Sequence, residues 1–376
     1  MQAALKDLLY AHSGRIDGLQ EKVDQYLENI VPEKRPKEII GITIVRKQKG
    51  RARGRIETTF LPIAIRLNVS TGEYEMCCAY EKGNALAISP WNICPDALAF
   101  ISRISPVKLA SKLEIAKPRF MEFVKQIISN SVEEGAQPIV LIDSSNCVQL
   151  WPWLADIRMN ANQINLEPQY QWMEKEWQGA RLIRIRQELA PGIIDQKVRQ
   201  FIETSLEDKR SKDKLKQLSP DLEIASTSSS TGLFRLTVAS ETGCIAYLSV
   251  GRKTLHQYSR GQSCYRSTQI NTPAKKADGS EDKVFNKAGL EVHQIGDRPP
   301  FSDQWPTPNP LEIVVTLRQP DDDPDRLAAL VESLRYGFGH YSDWTALPGA
   351  LFFERVVRDY ISEFAIEDEQ KEVVED

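Results

Sequence analysis

The apolar residues of this chain fall into two rhythms. Over residues 3–30 (AALKDLLYAHSGRIDGLQEKVDQYLENI) they recur at helical spacing with charges between them, which predicts one or two amphipathic helices. Pro32 and Pro36 close that segment. EIIGITIVRK (38–47) then reads as a strand and leads into a basic loop, KQKGRARGR (47–55). LPIAIRLNV (61–69), the turn STGE and YEMCCAY (74–80) read as a hairpin. PRFMEFVKQIISNSVEEG (118–135) returns to helical periodicity, stops at Gly135 and feeds the apolar run PIVLID (138–143). The opening order is thus three strands, a helix and a further strand that ends in an acid.

The second half is less regular. RLIRIRQE (181–188) predicts a strand with alternating arginines. A Ser-rich loop, ASTSSSTG (225–232), precedes a second hairpin, LFRLTVAS (233–240) with GCIAYLSVG (243–251). Residues 270–310 are rich in Lys, Asp, Gly and Pro, which predicts a long surface loop holding at most one strand. LEIVVTLRQ (311–319) is a strand, and DDDPDRLAALVESLRYGF (321–338) a helix announced by Asp and Pro. LFFERVVRDYISEF (351–364) predicts the last helix, and residues 367–376 form an acidic tail. The expected organisation is an N-terminal helical segment (1–36), one α/β domain (37–366) and the tail (367–376).

Composition narrows the function classes. A net charge of −4 rules out a chain that is basic throughout, so any nucleic-acid surface must be a local patch. No apolar run reaches the ~18 residues of a membrane span, and the N-terminus lacks the pattern of a signal peptide. The expected location is therefore cytoplasmic, with no membrane partner. The six cysteines show no CxxC pairing and no histidines at zinc spacing, which reads as reduced thiols.

Three antiparallel strands, a helix and a strand ending in an acid is the opening order of the RNase H fold. In that fold, carboxylates at strand ends hold two divalent metals that activate water for phosphodiester cleavage. Asp143 stands where a fourth-strand carboxylate belongs. LIDSSNCVQLWPWLAD, RLIRIRQELAPG, AYLSVGRK, VVTLRQPDDDPDRLAALVESLR, HYSDWTALP and the closing RDYI together resemble the RNase H-like (PIWI) domain of the pPIWI-RE family, bacterial relatives of Argonaute, over roughly residues 38–365. The resemblance implies an RNase H-like mixed β-sheet flanked by helices. It also implies handling of a guide–target nucleic-acid duplex in defence against foreign DNA. A helicase, a restriction-type nuclease and a separate chain supplying MID-like modules are the partners it suggests.

The resemblance also marks departures. An acid is expected on the first strand, where GITIVRK has Thr43. A histidine is expected in the last helix, where Phe352 stands, and the family's closing Glu-Tyr is Asp359-Tyr360. A degenerate catalytic site is the expectation that follows. If the site is active, it is a Mg2+- or Mn2+-dependent endonuclease with Asp143 as metal ligand and Glu188, Glu354 and Asp359 as the remaining candidate acids. The third reading is a protein-interaction scaffold.

Each candidate has a plainer alternative. Asp143 and Asn146 suit a metal or phosphate site, yet both residue types also cap helices. Among Arg181, Arg184 and Arg186, the last two share a strand face and suit phosphate oxygens; the alternative is a solvated sheet face, or ion pairs with Glu188 and Asp195. Arg252, Lys253, Arg260 and Arg266 interleave with Tyr258 and Tyr265, a nucleic-acid surface pattern or an ordinary hairpin surface. The loop 47–55 suits a nucleic-acid backbone or solvent. Trp151 and Trp153 read as buried anchors in preference to base-stacking platforms.

Overall fold

A computed structural model describes residues 18–47, 59–82, 85–103, 113–156, 158–166, 171–173, 175–187, 222–226, 233–236, 242–249, 284–285, 291–292, 311–335, 347–352 and 357. The chain divides into two compact units: residues 1–185, 241–244 and 314–376, and residues 186–240 and 245–313.

The first unit is built on a mixed open sheet. Its strands are β1 (Glu38–Lys47), β2 (Thr59–Asn68), β3 (Tyr74–Lys82), β4 (Ala85–Ile88), β5 (Asn92–Ile93), β6 (Ile139–Asp143) and β9 (Arg181–Arg186). A small hairpin, β7 (Asn165–Leu166) with β8 (Gln171–Trp172), lies outside the main sheet. The order is β9–β6–β1–β2–β3–β4, with β5 also paired to β3. β1 runs parallel to β6 and β6 parallel to β9, whereas β1, β2, β3 and β4 pair antiparallel. Continuous apolar runs suit strands covered on both faces, and β6 is buried at all five positions.

The helices are α1 (Leu19–Tyr26), α2 (Cys94–Arg103), α3 (Leu113–Glu133), α4 (Ser144–Cys147), α5 (Pro324–Ser333) and α6 (Gly349–Phe352). Strand alternation sorts the side chains. Glu38 and Ile40 lie on one face of β1, and Glu38 accepts a 2.8 Å hydrogen bond from Ser131 of α3. Gly41 and Thr43 lie on the other face, which α6 covers: a Cβ on Gly41 would lie 2.6 Å from the Ala350 carbonyl oxygen. Glycine is required there by the close approach of a helix backbone.

A buried ion pair ties distant segments together. Arg181 Nε donates to both carboxylate oxygens of Asp322 (3.0 and 2.8 Å), and its Nη2 to Asp322 Oδ1 at 2.8 Å. The remaining donors reach the carbonyls of Gln137 and Lys34 at 3.2 and 3.1 Å. This pair is fully supplied with partners, the condition under which a buried charge is tolerated. It fixes the amino end of β9 against the turn before α5. It also holds the segment before β1, where α1 lies along α5: Lys22 donates to the Ser333 carbonyl at 2.7 Å and Lys34 pairs with Asp321 at 2.6 Å.

In the second unit, β10 (Leu222–Ser226), β11 (Leu233–Leu236) and β12 (Ile245–Ser249) form an antiparallel ladder. β13 (Val284–Phe285) and β14 (Glu291–Val292) pair as a short hairpin. β15 (Leu311–Leu317) crosses the boundary, Val314 onward belonging to the first unit.

Several boundaries differ from the sequence expectation. The helix expected to start at Pro118 begins at Leu113 and carries Pro118 inside it, where the missing N–H forfeits one bond of the helical ladder. The Ser-rich stretch begins inside β10, whose residues 222–226 pair with β11. The segment 85–103, given no element from periodicity, holds two short strands and α2. Trp151 and Trp153 are buried and stacked with ring centroids 5.4 Å apart, and each indole donates to a backbone carbonyl. Among the described residues no helix is long and apolar enough to cross a membrane.

Two outcomes follow from this packing. Gly41→Ala should destabilise the protein by about 1–3 kcal/mol, the usual range for overpacking, read as a lower urea midpoint; an unchanged midpoint would show that α6 yields freely. Burial lowers the Lys22 amine to about 8. The folded state thus releases this proton before the unfolded chain does, and stability should rise between about pH 8 and 10.5. Subtracting the pH profile of Lys22→Met from that of the wild type should leave this rise, and superimposable profiles would refute it.

Candidate functional site

The carboxyl end of β6 holds Asp143. Ile42 of β1 stands beside Ile142 of β6, so the next residues, Thr43 and Asp143, are neighbours on one face of the sheet. Asp143 is 2% exposed. Its Oδ2 accepts from the Thr43 hydroxyl at 3.1 Å and from Asn146 Nδ2 at 2.6 Å. Its Oδ1 accepts from the Ser145 backbone N–H at 3.0 Å, which makes Asp143 the N-cap of α4.

Burial raises the Asp143 carboxyl above its ordinary range. Hydrogen bonds from Asn146, Thr43 and the backbone N–H groups of Ser145 and Asn146 pull it back in part. The carboxylate is therefore held by dipoles. Metal coordination needs oxygen lone pairs directed at the ion, and here the donors of Thr43, Ser145 and Asn146 already point at them. Among the described residues no group of three His, Cys, Asp or Glu side chains could hold a metal ion. The described residues do not fit the pair of divalent ions that RNase H-like nucleases commonly use.

The arginines of β9 lie elsewhere. Arg184 stands beside Ile142, one step out of phase with Asp143, so its side chain leaves the sheet on the opposite face. It is 2% exposed and donates to the Leu154 carbonyl at 2.9 Å and to Asp156 Oδ1 at 2.6 Å. Arg186 pairs with Glu312 at 2.6 Å within the second unit. Of the sequence-predicted site residues, the structure thus brings Asp143 and Asn146 together and sets Arg184 apart from them. Glu188, Glu354, Asp359, Arg252, Lys253, Arg260 and Arg266 lie outside the described residues, as does the loop 48–55. Phe352 is half-buried in α6. The donor role of Thr43 was missed, although its place opposite Asp143 follows from aligning two parallel apolar strands at their carboxyl ends.

A strand-end carboxylate on a mixed sheet flanked by helices is the arrangement of an RNase H-like domain. The family model described as the RNaseH domain of pPIWI_RE matches residues 39–363, and the chain belongs to that family. Comparison with curated proteins gave no match.

If Asp143 serves as a cap, Asp143→Asn should hold the same partners after amide reorientation and stay within about 1 kcal/mol of the wild type. Asp143→Ala should cost about 1–3 kcal/mol by losing the cap and orphaning buried donors. The raised carboxyl takes up its proton before the unfolded chain does, so its contribution is complete at acid pH and fades as pH rises through the folded-state value. Asp143→Asn should flatten that part of the stability profile. Equal losses in both variants, with no change in the pH profile, would contradict this.

Proposed function

We propose that this chain binds nucleic acid without cutting it, as an RNase H-like domain that holds a guide–target duplex in cytoplasmic defence against foreign DNA. The supporting observation is the state of Asp143: donors from Thr43, Ser145 and Asn146 occupy its carboxylate, and Thr43 fills the adjacent position on β1. A two-metal mechanism needs carboxylates from several strands to bridge both ions, and a hydroxyl turned toward Asp143 as a donor does not supply that. Duplex recognition by such a domain runs through backbone phosphates and helix shape. Cleavage falls to a restriction-type nuclease, strand opening to a helicase, and guide anchoring to a chain carrying MID-like modules.

The test is incubation with labelled single strands, duplexes and RNA–DNA hybrids in millimolar manganese, with Asp143→Ala alongside. Wild type and variant should both retard duplex in a mobility assay and leave it intact. Manganese-dependent cleavage that disappears in Asp143→Ala would refute the proposal.

A further inference from the structure

Two arginines that sequence periodicity did not single out lie on the surface of the first unit. Arg158 follows the Trp151–Asp156 segment, and Arg318 follows β15. Both are exposed, and neither has an ion-pair partner among the described residues. The fold draws their segments together. Arg184 donates to Leu154 and Asp156, two to four residues before Arg158. The loop after Arg158 is tied to residues 242–244 by a 2.9 Å hydrogen bond from Ala161 N–H to the Thr242 carbonyl. A Cβ on Gly243 would lie 3.3 Å from the Ala161 Cβ, so the two loops are in close contact. On the other side, Thr316 Oγ donates to the Leu182 carbonyl at 2.7 Å and Gln319 Nε2 to the Ala180 carbonyl at 2.8 Å, which lays Arg318 alongside the start of β9. Burial raises the Cys244 thiol in the loop tied to Ala161, and Arg184 and Arg318 both act electrostatically to lower it.

We infer that Arg158 and Arg318, with Arg184 beneath them, form a patch that contacts the phosphate backbone of a bound nucleic acid. The roles differ by burial. Arg184 is enclosed and braced by Asp156, so it contributes field and holds the loop in place. Arg158 and Arg318 are exposed, and their forked donors suit phosphate oxygens. The Asp156 side chain is 56% exposed, and its charge is committed to Arg184 at 2.6 Å. This inference rests on the nucleic-acid reading above and assigns the surface that reading requires on the described part of the first unit.

The experiment is a salt series of fluorescence-anisotropy titrations on a labelled DNA duplex and an RNA–DNA hybrid. It uses the full chain, Arg158→Ala/Arg318→Ala and Arg158→Lys/Arg318→Lys. Each phosphate contact contributes about 0.9 to the slope of log affinity against log salt. The double alanine variant should therefore lose about 2 units of slope and bind at least about tenfold more weakly at low salt, with an unchanged melting temperature. The lysine pair should keep most of the slope, because the charges remain. Wild-type binding with the same slope in the alanine variant would overturn the patch and leave the nucleic-acid reading standing. No binding by the wild type to either duplex would overturn both.

Discussion

The register of two parallel strands decides what the central acid of this protein does. Ile42 stands beside Ile142, and the step after it sets Thr43 beside Asp143. With a carboxylate at that position of β1, two acids would face each other in a dry site, and they would have to share a proton or hold a cation between them. With a threonine, the neighbour becomes a hydrogen-bond donor. Asp143 is stabilised by Thr43, Asn146 and the first turn of α4. Gly41, two residues earlier on the same face, lets α6 close over β1 and helps keep this region dry.

The buried arginines obey the same alternation. Arg181 lies on the Asp143 face, but at the far end of β9, where Asp322 and two backbone carbonyls take up its donors. Arg184 lies on the opposite face, against Leu154 and Asp156. Neither acts on the Asp143 carboxylate. A removal of either partner of the Arg181–Asp322 pair would strand a buried charge, the costly way to break such a contact. The enclosed arginines hold elements together, and Arg158 and Arg318 lie exposed on the same framework.

Much of this was legible in the sequence. Strand β1 runs over the predicted residues, and the acid at the end of β6 followed from one apolar run and its flanking helix signals. Both readings rest on local periodicity, which needs no partner. The Thr43 position was visible as a departure from the family pattern, but a pattern gives no hydrogen bonds. Pairing across long separations was not legible. Glu188 and Asp195 are the nearby acids the sequence offers the β9 arginines, whereas Arg184 meets Asp156, 28 residues earlier, and the carboxylate of Arg181 lies 141 residues away. Arg158 and Arg318 gave no periodic signal, because single charges in loops acquire meaning only when tertiary contacts gather them. The anchoring role of Trp151 and Trp153 was readable, since two aromatics at the exit of a buried strand have few places to go but inward.

Asp143 is either committed to its hydrogen bonds or available to a divalent ion. Manganese titration followed by amide NMR answers this directly, because the paramagnetic ion broadens resonances close to where it binds. If the carboxylate is committed, the amides of Thr43, Asp143, Ser145 and Asn146 will show only weak, non-saturating broadening at millimolar manganese, the same as in Asp143→Asn. Selective broadening of those four amides that saturates near one equivalent, and is absent in Asp143→Asn, would contradict the account and make Asp143 a metal ligand.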